Sequence, residues 1–213
     1  AMTLGMHLSD NFRYPYGAIG FSDLWQRWHI SLSTWLRDYL YIPLGGNRIG
    51  AHRTNINLML TMVIGGLWHG AAWTFVFWGF LHGLFLGIER FFKGKFNAAS
   101  GVLGQLALAF LTFTAVNITW VFFRAQSFSQ AWDIIKSMFF IGGTKAVLQN
   151  TQLLLVGFIS LGLFLGHFAM RKTSLVAVLQ KMPSWLIAGL WGFMLFGLMV
   201  VQSSGQQFIY FQF

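Results

Sequence analysis

Long apolar runs, separated by short basic segments that contain glycine or proline, dominate this sequence. No Asp, Glu, Lys or Arg lies between Arg53 and Glu89, and residues 96–123, 146–170 and 182–213 also lack these charged side chains. A helix needs about 20 apolar residues to cross the hydrocarbon core of a membrane, so each run is long enough. The pattern predicts an all-α, polytopic membrane protein.

The segment that starts at Phe21 has the pattern of an amphipathic helix. Ser22 and Asp23 suit a helix N-terminus. Apolar side chains follow at intervals of three and four residues: Trp25, Trp28, Leu32, Trp35, Leu36 and Tyr39. Polar side chains fall on the opposite face: Gln26, His29, Ser33 and Arg37. Pro43 and two glycines end this predicted helix, and we expect Asn47 to Arg53 to form a basic loop.

The apolar stretch from Asn55 to Ile88 is too long for one straight crossing, because such a helix would measure about 51 Å against a hydrocarbon core of about 30 Å. Its glycines predict a break that leaves two arms, Asn55 to Ile64 and Ala71 to Ile88: Gly65, Gly66 and Gly70. Basic residues flank both ends, which favours the cytoplasmic side: Arg48, Arg53, Arg90, Lys93 and Lys95. We therefore predict a re-entrant hairpin whose apex presents His69 in a cavity.

Three more spans and one interfacial helix complete the predicted fold. The spans cover about Val102 to Phe123, Gln152 to Met170 and Trp185 to Val201. Between the first two, one apolar stripe indicates a helix that lies in the membrane interface: Phe128, Ala131, Trp132, Ile135, Met138 and Phe139. We expect residues 1–213 to form a single transmembrane domain.

Composition strengthens the membrane interpretation. Hydrophobic residues make up 56% of the chain and charged residues 9%, against about 25% charged in an ordinary soluble domain. The net charge of +9 comes from 14 Lys and Arg residues that lie mostly at the ends of apolar runs. This placement is typical of membrane topology, so we expect no nucleic-acid partner. The sequence has no cysteine and no His-Glu-x-x-His spacing, so we expect no metal site.

His69 is the strongest candidate for a functional residue. It lies in the run Gly65-Gly66-Leu67-Trp68-His69-Gly70, where no charged residue is near in the sequence. An ionisable side chain at membrane depth is costly to bury, so its presence there is a functional hypothesis by default. The alternative is a structural histidine whose ring is satisfied by neighbouring carbonyl groups.

Several motifs resemble the membrane-bound O-acyltransferase (MBOAT) family: Phe21 to Ser33, Trp35 to Asn47, Asn55, and Gly65 to Gly70. With the tail from Phe208 to Phe213, they are more similar to the alginate O-acetyltransferase, AlgI-like branch. The resemblance runs through essentially the whole chain but corresponds to the C-terminal half of the family's usual length. The chain opens on Ala1 without the features of a signal peptide. We expect the family's N-terminal helices to be absent from it.

The resemblance implies transfer of an acyl group to a hydroxyl by a multi-pass protein of the bacterial inner membrane. His69 matches the family's active-site histidine in the Trp-His-Gly motif, and His29 matches its second motif histidine. The implied donor is cytoplasmic acetyl-CoA, with no bound cofactor. The implied acceptor, reached directly or indirectly, is a secreted polysaccharide such as alginate. Periplasmic polysaccharide-acetylation proteins are the implied partners.

The chemistry of the two histidines agrees with such a reaction. A hydroxyl attacks a thioester slowly unless a base removes its proton. An imidazole in a low-dielectric site stays neutral and can accept that proton, so His69 is predicted to be the general base or to become transiently acylated. His29, with Ser33 and Arg37, is predicted to orient the substrate or to polarise the thioester carbonyl. Simple packing in a helix is the alternative for His29.

Four further residues are candidates for substrate binding. Arg48 and Arg53 suit the phosphates of a coenzyme donor, although positive residues at the end of an apolar run are also membrane anchors. Asn55 matches the family motif and is predicted to help shape the site. Trp68 directly precedes His69 and is predicted to contact substrate, although tryptophans in membrane proteins also form interfacial belts.

Two other functions remain open at this point. A transporter or channel subunit also uses broken helices with a polar apex, but that fold predicts a second broken helix as an inverted repeat, and the sequence contains one. Within the enzymes, the related branch that transfers D-alanine to teichoic acid is the alternative. The tail and the residues around His29 favour the acetyl branch.

Overall fold

The computed structural model describes residues 9–92, 101–139 and 150–201. Within these ranges the protein is all-α, as predicted, with nine α-helices and no strand. The chain forms two compact units, Ala1–Arg171 and Lys172–Phe213. The single domain over residues 1–213 stays a prediction. Lys93, Lys95 and the tail from Phe208 to Phe213 lie outside the described residues.

The first unit contains a 3₁₀ turn and seven α-helices. The turn is Pro15–Gly17, and the helices are α1 Phe21–Trp25, α2 Ile30–Leu36, α3 Ala51–His69, α4 Trp73–Phe91, α5 Val102–Arg124, α6 Phe128–Met138 and α7 Asn150–Met170. A π-helical turn, Arg37–Tyr41, extends α2. The described part of the second unit contains α8 Leu175–Leu179 and α9 Ser184–Val201.

The predicted hairpin is present as α3 and α4, but its break is not where the glycines predicted it. Gly65 and Gly66 lie inside α3, which continues to His69, and the chain turns at Gly70–Ala72. The reason is packing: a Cβ atom at Gly66 would overlap the carbonyl group of Phe75 on α4. Small residues that let helix backbones approach closely are typical of membrane helix pairs. The glycine pair therefore serves helix contact instead of ending the helix.

The predicted single helix from Phe21 is wrong, since α1 ends at Trp25 and α2 begins at Ile30. His29 separates them with a left-handed backbone conformation, φ 44° and ψ 55°. Tertiary hydrogen bonds replace the helical ones here: the amide of Ile30 donates to the Asn11 carbonyl at 2.9 Å, and the amide of Arg13 donates to the Arg27 carbonyl at 2.9 Å. These contacts with the N-terminal segment override the local helical pattern.

The predicted basic loop also differs from the structure, because α3 begins at Ala51 and includes Arg53. The loop before it is fastened by Asn57, which is fully buried and donates through its side-chain amide to the Gly46 carbonyl at 3.0 Å. The Thr54 hydroxyl donates to the Gly50 carbonyl at 2.8 Å. Buried polar groups need such partners, so these two bonds fix the entry into α3.

A buried ion-pair network joins α1 to the end of α7. The Asp23 carboxylate accepts hydrogen bonds from the Arg27 guanidinium at 2.7 Å and from the Arg171 guanidinium at 3.4 Å. It also accepts the amide N–H of Ile19 at 2.9 Å. Because this single carboxylate serves two arginines and a backbone amide, its loss would leave several part-buried donors without a partner.

Two helices in the described ranges are long and apolar enough to cross a membrane, Val102–Arg124 and Gln152–Met170. They agree with the first two predicted spans. The third predicted span is the helix α9, whose apolar part, Ser184–Met199, is shorter. Apolar side chains on α7 are exposed around most of the helix, which is typical of a helix that contacts lipid. The predicted interfacial helix is the helix α6; its place in the membrane stays a prediction.

Replacing Gly79 by alanine should destabilise the hairpin, because the new methyl group would meet the carbonyl of Met62. Overpacking of this kind costs about 1–3 kcal/mol. Gly87, also on α4, is the matched control, since a Cβ atom there has nothing within 4 Å. Gly87→Ala should be neutral or stabilising through helix propensity. Thermal aggregation of detergent-solubilised protein, followed by size-exclusion chromatography, measures both. Equal midpoints for the two variants would contradict the packing described for Gly79.

Candidate active site

The two motif histidines, which are distant in the sequence, line the same cavity. Its volume is about 190 Å³. It is called the histidine cavity here, and its lining residues are Trp25, Trp28, His29, Leu32, His69, Trp78, Trp120 and Phe123. The helices α1 to α5 all contribute to this wall or, in the case of His29, the junction between two of them does. The fold therefore brings together the two residues that the sequence selected for catalysis.

His69 is the last residue of α3 and is held between aromatic rings. Its ring centroid lies 5.4 Å from that of Trp78 and 5.0 Å from that of Phe123, both in edge-to-face contact. Such contacts fix the orientation of the imidazole. Its neighbour Trp68 also touches its ring, at 5.1 Å. In the described part of the chain no hydrogen bond occupies the His69 nitrogens, so both are available to a substrate.

His29 is held in a strained backbone conformation. Its positive φ of 44° is one of two such values among the described non-glycine residues. A left-handed conformation of this kind costs about 1–3 kcal/mol and is concentrated at functional sites. The Nδ1 atom of His29 is buried and has no hydrogen-bond partner among the described residues. The break between α1 and α2 therefore directs this imidazole to the histidine cavity.

The wall of the histidine cavity is built from large aromatic side chains in mutual contact. Trp120 contacts Trp28, with ring centroids 5.2 Å apart, and Phe123, at 5.1 Å. Trp78, which is 3% exposed, contacts Phe123 at 5.4 Å. An apolar wall of this kind excludes water and strengthens the electrostatic interactions inside it.

A second cavity of about 390 Å³ lies on the other side of Trp25. It is called the polar cleft here because most of the polar side chains of α2 line it: Ser33, Thr34 and Arg37, with Gln26, Tyr41 and Thr61. The sequence placed Ser33 and Arg37 on the same face as His29. The break before α2 separates them, so His29 lines the histidine cavity while Ser33 and Arg37 line the polar cleft.

Arg37 is paired with its neighbour Asp38. The guanidinium donates to the two carboxylate oxygens at 2.7 Å and 3.2 Å, and this side-chain hydrogen bond lowers the pKa of Asp38. Ser33 donates its hydroxyl to the Ile30 carbonyl at 3.1 Å. Both side chains keep further hydrogen-bonding capacity toward the cleft.

The other candidate residues lie outside both cavities. Arg48, Arg53 and Asn55 are exposed at the start of α3 and in the turn before it. Trp68 is 63% exposed and lines neither the histidine cavity nor the polar cleft. In the described ranges, three or more His, Asp or Glu side chains do not cluster as metal ligands would.

Sequence reasoning missed the aromatic wall of the histidine cavity. Trp25 and Trp28 were assigned to the apolar back of a helix, and nothing in the linear pattern connects them with Trp78, Trp120 or Phe123. These residues meet only because α4 and α5 pack against the segment from Phe21 to Leu36. The dense tryptophan pattern around His29 is the one signal that pointed to this region.

Comparison with known proteins gives the family. The family model for membrane-bound O-acyltransferases (MBOAT) matches residues 11–123. This range contains all residues that line the histidine cavity.

Curated relatives agree with that match. The chain is 46% identical over 153 residues to "Probable alginate O-acetylase AlgI" of Azotobacter vinelandii, which covers 71% of the chain and 30% of the relative. It is 49% identical over 141 residues to the protein of the same name from Pseudomonas aeruginosa, covering 66% and 26%. It is 43% identical over 138 residues to "Peptidoglycan O-acetyltransferase" of Helicobacter pylori, covering 65% and 26%.

These alignments thus span less than a third of each relative's length. The family match, in contrast, extends over more than half of this chain and includes both motif histidines. The all-α structure with helices long enough to cross a membrane agrees with that match. The chain belongs to the membrane-bound O-acyltransferase family.

Proposed function

We propose that the histidine cavity is the acyl-transfer centre of a membrane-embedded O-acetyltransferase. The observation that carries this proposal is the position of His29 and His69 on one aromatic-walled cavity. A base, a second polar group and a water-excluding wall are the parts that transfer from a thioester to a hydroxyl requires. The names of the alginate and peptidoglycan acetylating relatives support acetyl as the transferred group.

His69 acts on the attacking hydroxyl in this proposal. One of its ring nitrogens takes the hydroxyl proton as the oxygen forms a bond to the thioester carbonyl carbon. The carbon–sulfur bond then breaks, and the thiolate leaves with the proton that His69 returns. An acyl-histidine intermediate divides the same transfer into two steps. The free nitrogens and the aromatic contacts of His69 are compatible with both routes.

His29 orients the substrate or polarises its carbonyl. An imidazole N–H directed at the carbonyl oxygen would stabilise the negative charge that develops there. The strained backbone at His29 supports a functional role, because a histidine that only packs in a helix would not need a left-handed conformation.

The proposed donor is acetyl-CoA from the cytoplasm, with its thioester in the histidine cavity and its remaining part toward the polar cleft. Ser33 and Arg37 line that cleft and suit the amide and phosphate groups of a coenzyme. Arg48 and Arg53 are exposed and have no ion pair in the described structure, so each is free to meet a phosphate outside the cavities. Asn55 and Trp68 contribute to this outer surface.

The proposed acceptor is a hydroxyl of a secreted polysaccharide such as alginate, reached directly or through periplasmic polysaccharide-acetylation proteins. The chain would then be a multi-pass protein of the bacterial inner membrane. Two helices that are long and apolar enough to cross a membrane support that location. Transfer of D-alanine and a transporter role receive no support from a specific structural observation.

Replacing His69 by alanine should abolish acetyl transfer, because removal of a general base costs about 10²–10⁴-fold in rate. His29→Ala should lower the rate by a smaller factor, since the base remains. The exposed His52 on α3 provides the matched control, and His52→Ala should keep the wild-type rate. Membranes from cells that express the whole gene, given radiolabelled acetyl-CoA and polysaccharide, measure all three. Near-normal transfer by His69→Ala, with normal protein accumulation, would refute the proposed centre.

Both ends of the α3–α4 hairpin should lie on the cytoplasmic side, because basic residues flank them. The sequence has no cysteine, so single cysteines report without background. Gly50→Cys and Phe91→Cys, at two exposed positions, should both react with a membrane-impermeant maleimide in inside-out vesicles and stay protected in intact spheroplasts. Opposite labelling of the two sites would show a full crossing in place of the re-entrant hairpin.

The double variant Arg48→Ala with Arg53→Ala should raise the KM for acetyl-CoA several-fold with little change in kcat. The reason is that both guanidinium groups would bind a part of the donor that is remote from the reacting carbonyl. Arg124→Ala, an exposed arginine at the end of α5, is the control and should leave KM unchanged. An unchanged KM in the double variant, with altered topology, would identify the two arginines as membrane anchors.

A further inference from the structure

The histidine cavity and the polar cleft share one lining residue, Trp25. The other seven residues of the histidine cavity do not line the cleft, and the cleft's other residues do not line the histidine cavity. The indole of Trp25 is thus the side chain that stands between a cavity of about 190 Å³ and one of about 390 Å³. Shortening this side chain would join the two spaces.

The position of Trp25 is fixed by rigid neighbours. Its ring contacts His82, with centroids 5.3 Å apart, and Trp78, at 6.1 Å. His82 is 3% exposed, and its Nε2 lies 3.1 Å from the Thr119 hydroxyl. That hydroxyl already donates to the Val116 carbonyl at 2.7 Å, so His82 must be the donor in the bond to Thr119. The bond ties α4 to α5 directly behind Trp25.

The remaining walls of the histidine cavity offer no comparable space. Trp78 is buried, and Trp120 packs against both Trp28 and Phe123. Interiors of this density relax only partly when one side chain is shortened. Trp25 differs from these residues because the volume behind it is already open.

We propose that Trp25 is a specificity-determining residue that restricts the transferred acyl group to short chains such as acetyl. This inference rests on the proposed function. With the thioester carbonyl at His69 and the donor extending to the polar cleft, each added methylene of the acyl group must fit a cavity that the indole closes. A pocket that excludes one methylene discriminates by about 10–200-fold. Removing the indole would give a longer acyl chain access to the cleft.

The test compares acetyl-CoA with butyryl-CoA as donors, using membranes from cells that express the whole gene. Wild type should prefer acetyl-CoA in kcat/KM by at least about 100-fold, since two methylenes are added. Trp25→Leu and Trp25→Ala should each lower this preference by at least about 10-fold, whereas Trp25→Phe should keep most of it. Trp28→Leu is the matched control, because Trp28 lines the histidine cavity but not the cleft. Its acetyl preference should stay within about threefold of wild type.

The outcomes separate this inference from the proposed function. Failure of wild type to transfer acetyl from acetyl-CoA would refute the proposed function. If wild type transfers acetyl, equal use of butyryl-CoA by wild type overturns the role of Trp25 without any variant. An unchanged acetyl preference in Trp25→Leu or Trp25→Ala, or an equal shift in Trp28→Leu, also overturns it.

Discussion

The close approach of the α3 and α4 backbones is the contact on which the rest of the site depends. Gly66 faces the carbonyl of Phe75, Gly79 faces the carbonyl of Met62, and side chains larger than hydrogen would not fit at either position. Within a bilayer the hydrophobic effect does not favour helix contacts over lipid contacts, so close packing carries much of the association. This packing sets His69 at the end of α3, beside Trp78 on α4.

A second constraint places the other histidine. Asp23 binds Arg27 and Arg171, which holds α1 against the end of α7, and the backbone bonds of Asn11 and Arg13 then replace helical bonds near His29. The chain bends between α1 and α2, and the imidazole reaches the histidine cavity. The stability of the hairpin and of the ion-pair network thus offsets a strained residue at the point where chemistry is proposed.

The sequence allowed much of the architecture to be predicted, because spans such as Val102–Arg124 are encoded in local composition. The pairing of His29 with His69 followed from family motifs, and the cavity agrees with it. The helix break at His29 was missed because long-range bonds override a good local helical pattern. The role of Gly66 was misread because the same residue can end a helix or let two helices meet. Trp25 gained its meaning only from two cavities that no sequence pattern displays.

The central claim is that an acetyl thioester reacts in the cavity that His29 and His69 line. A cryo-electron microscopy map of the protein, expressed from its whole gene, tests it most directly when the protein binds an unreactive analogue of acetyl-CoA. A methylene group between the sulfur and the acetyl carbonyl removes the leaving group, so the analogue stays intact. The account predicts density for the acetyl end beside His69, with the adjoining arm passing Trp25. Density for the acetyl end outside the histidine cavity would contradict it.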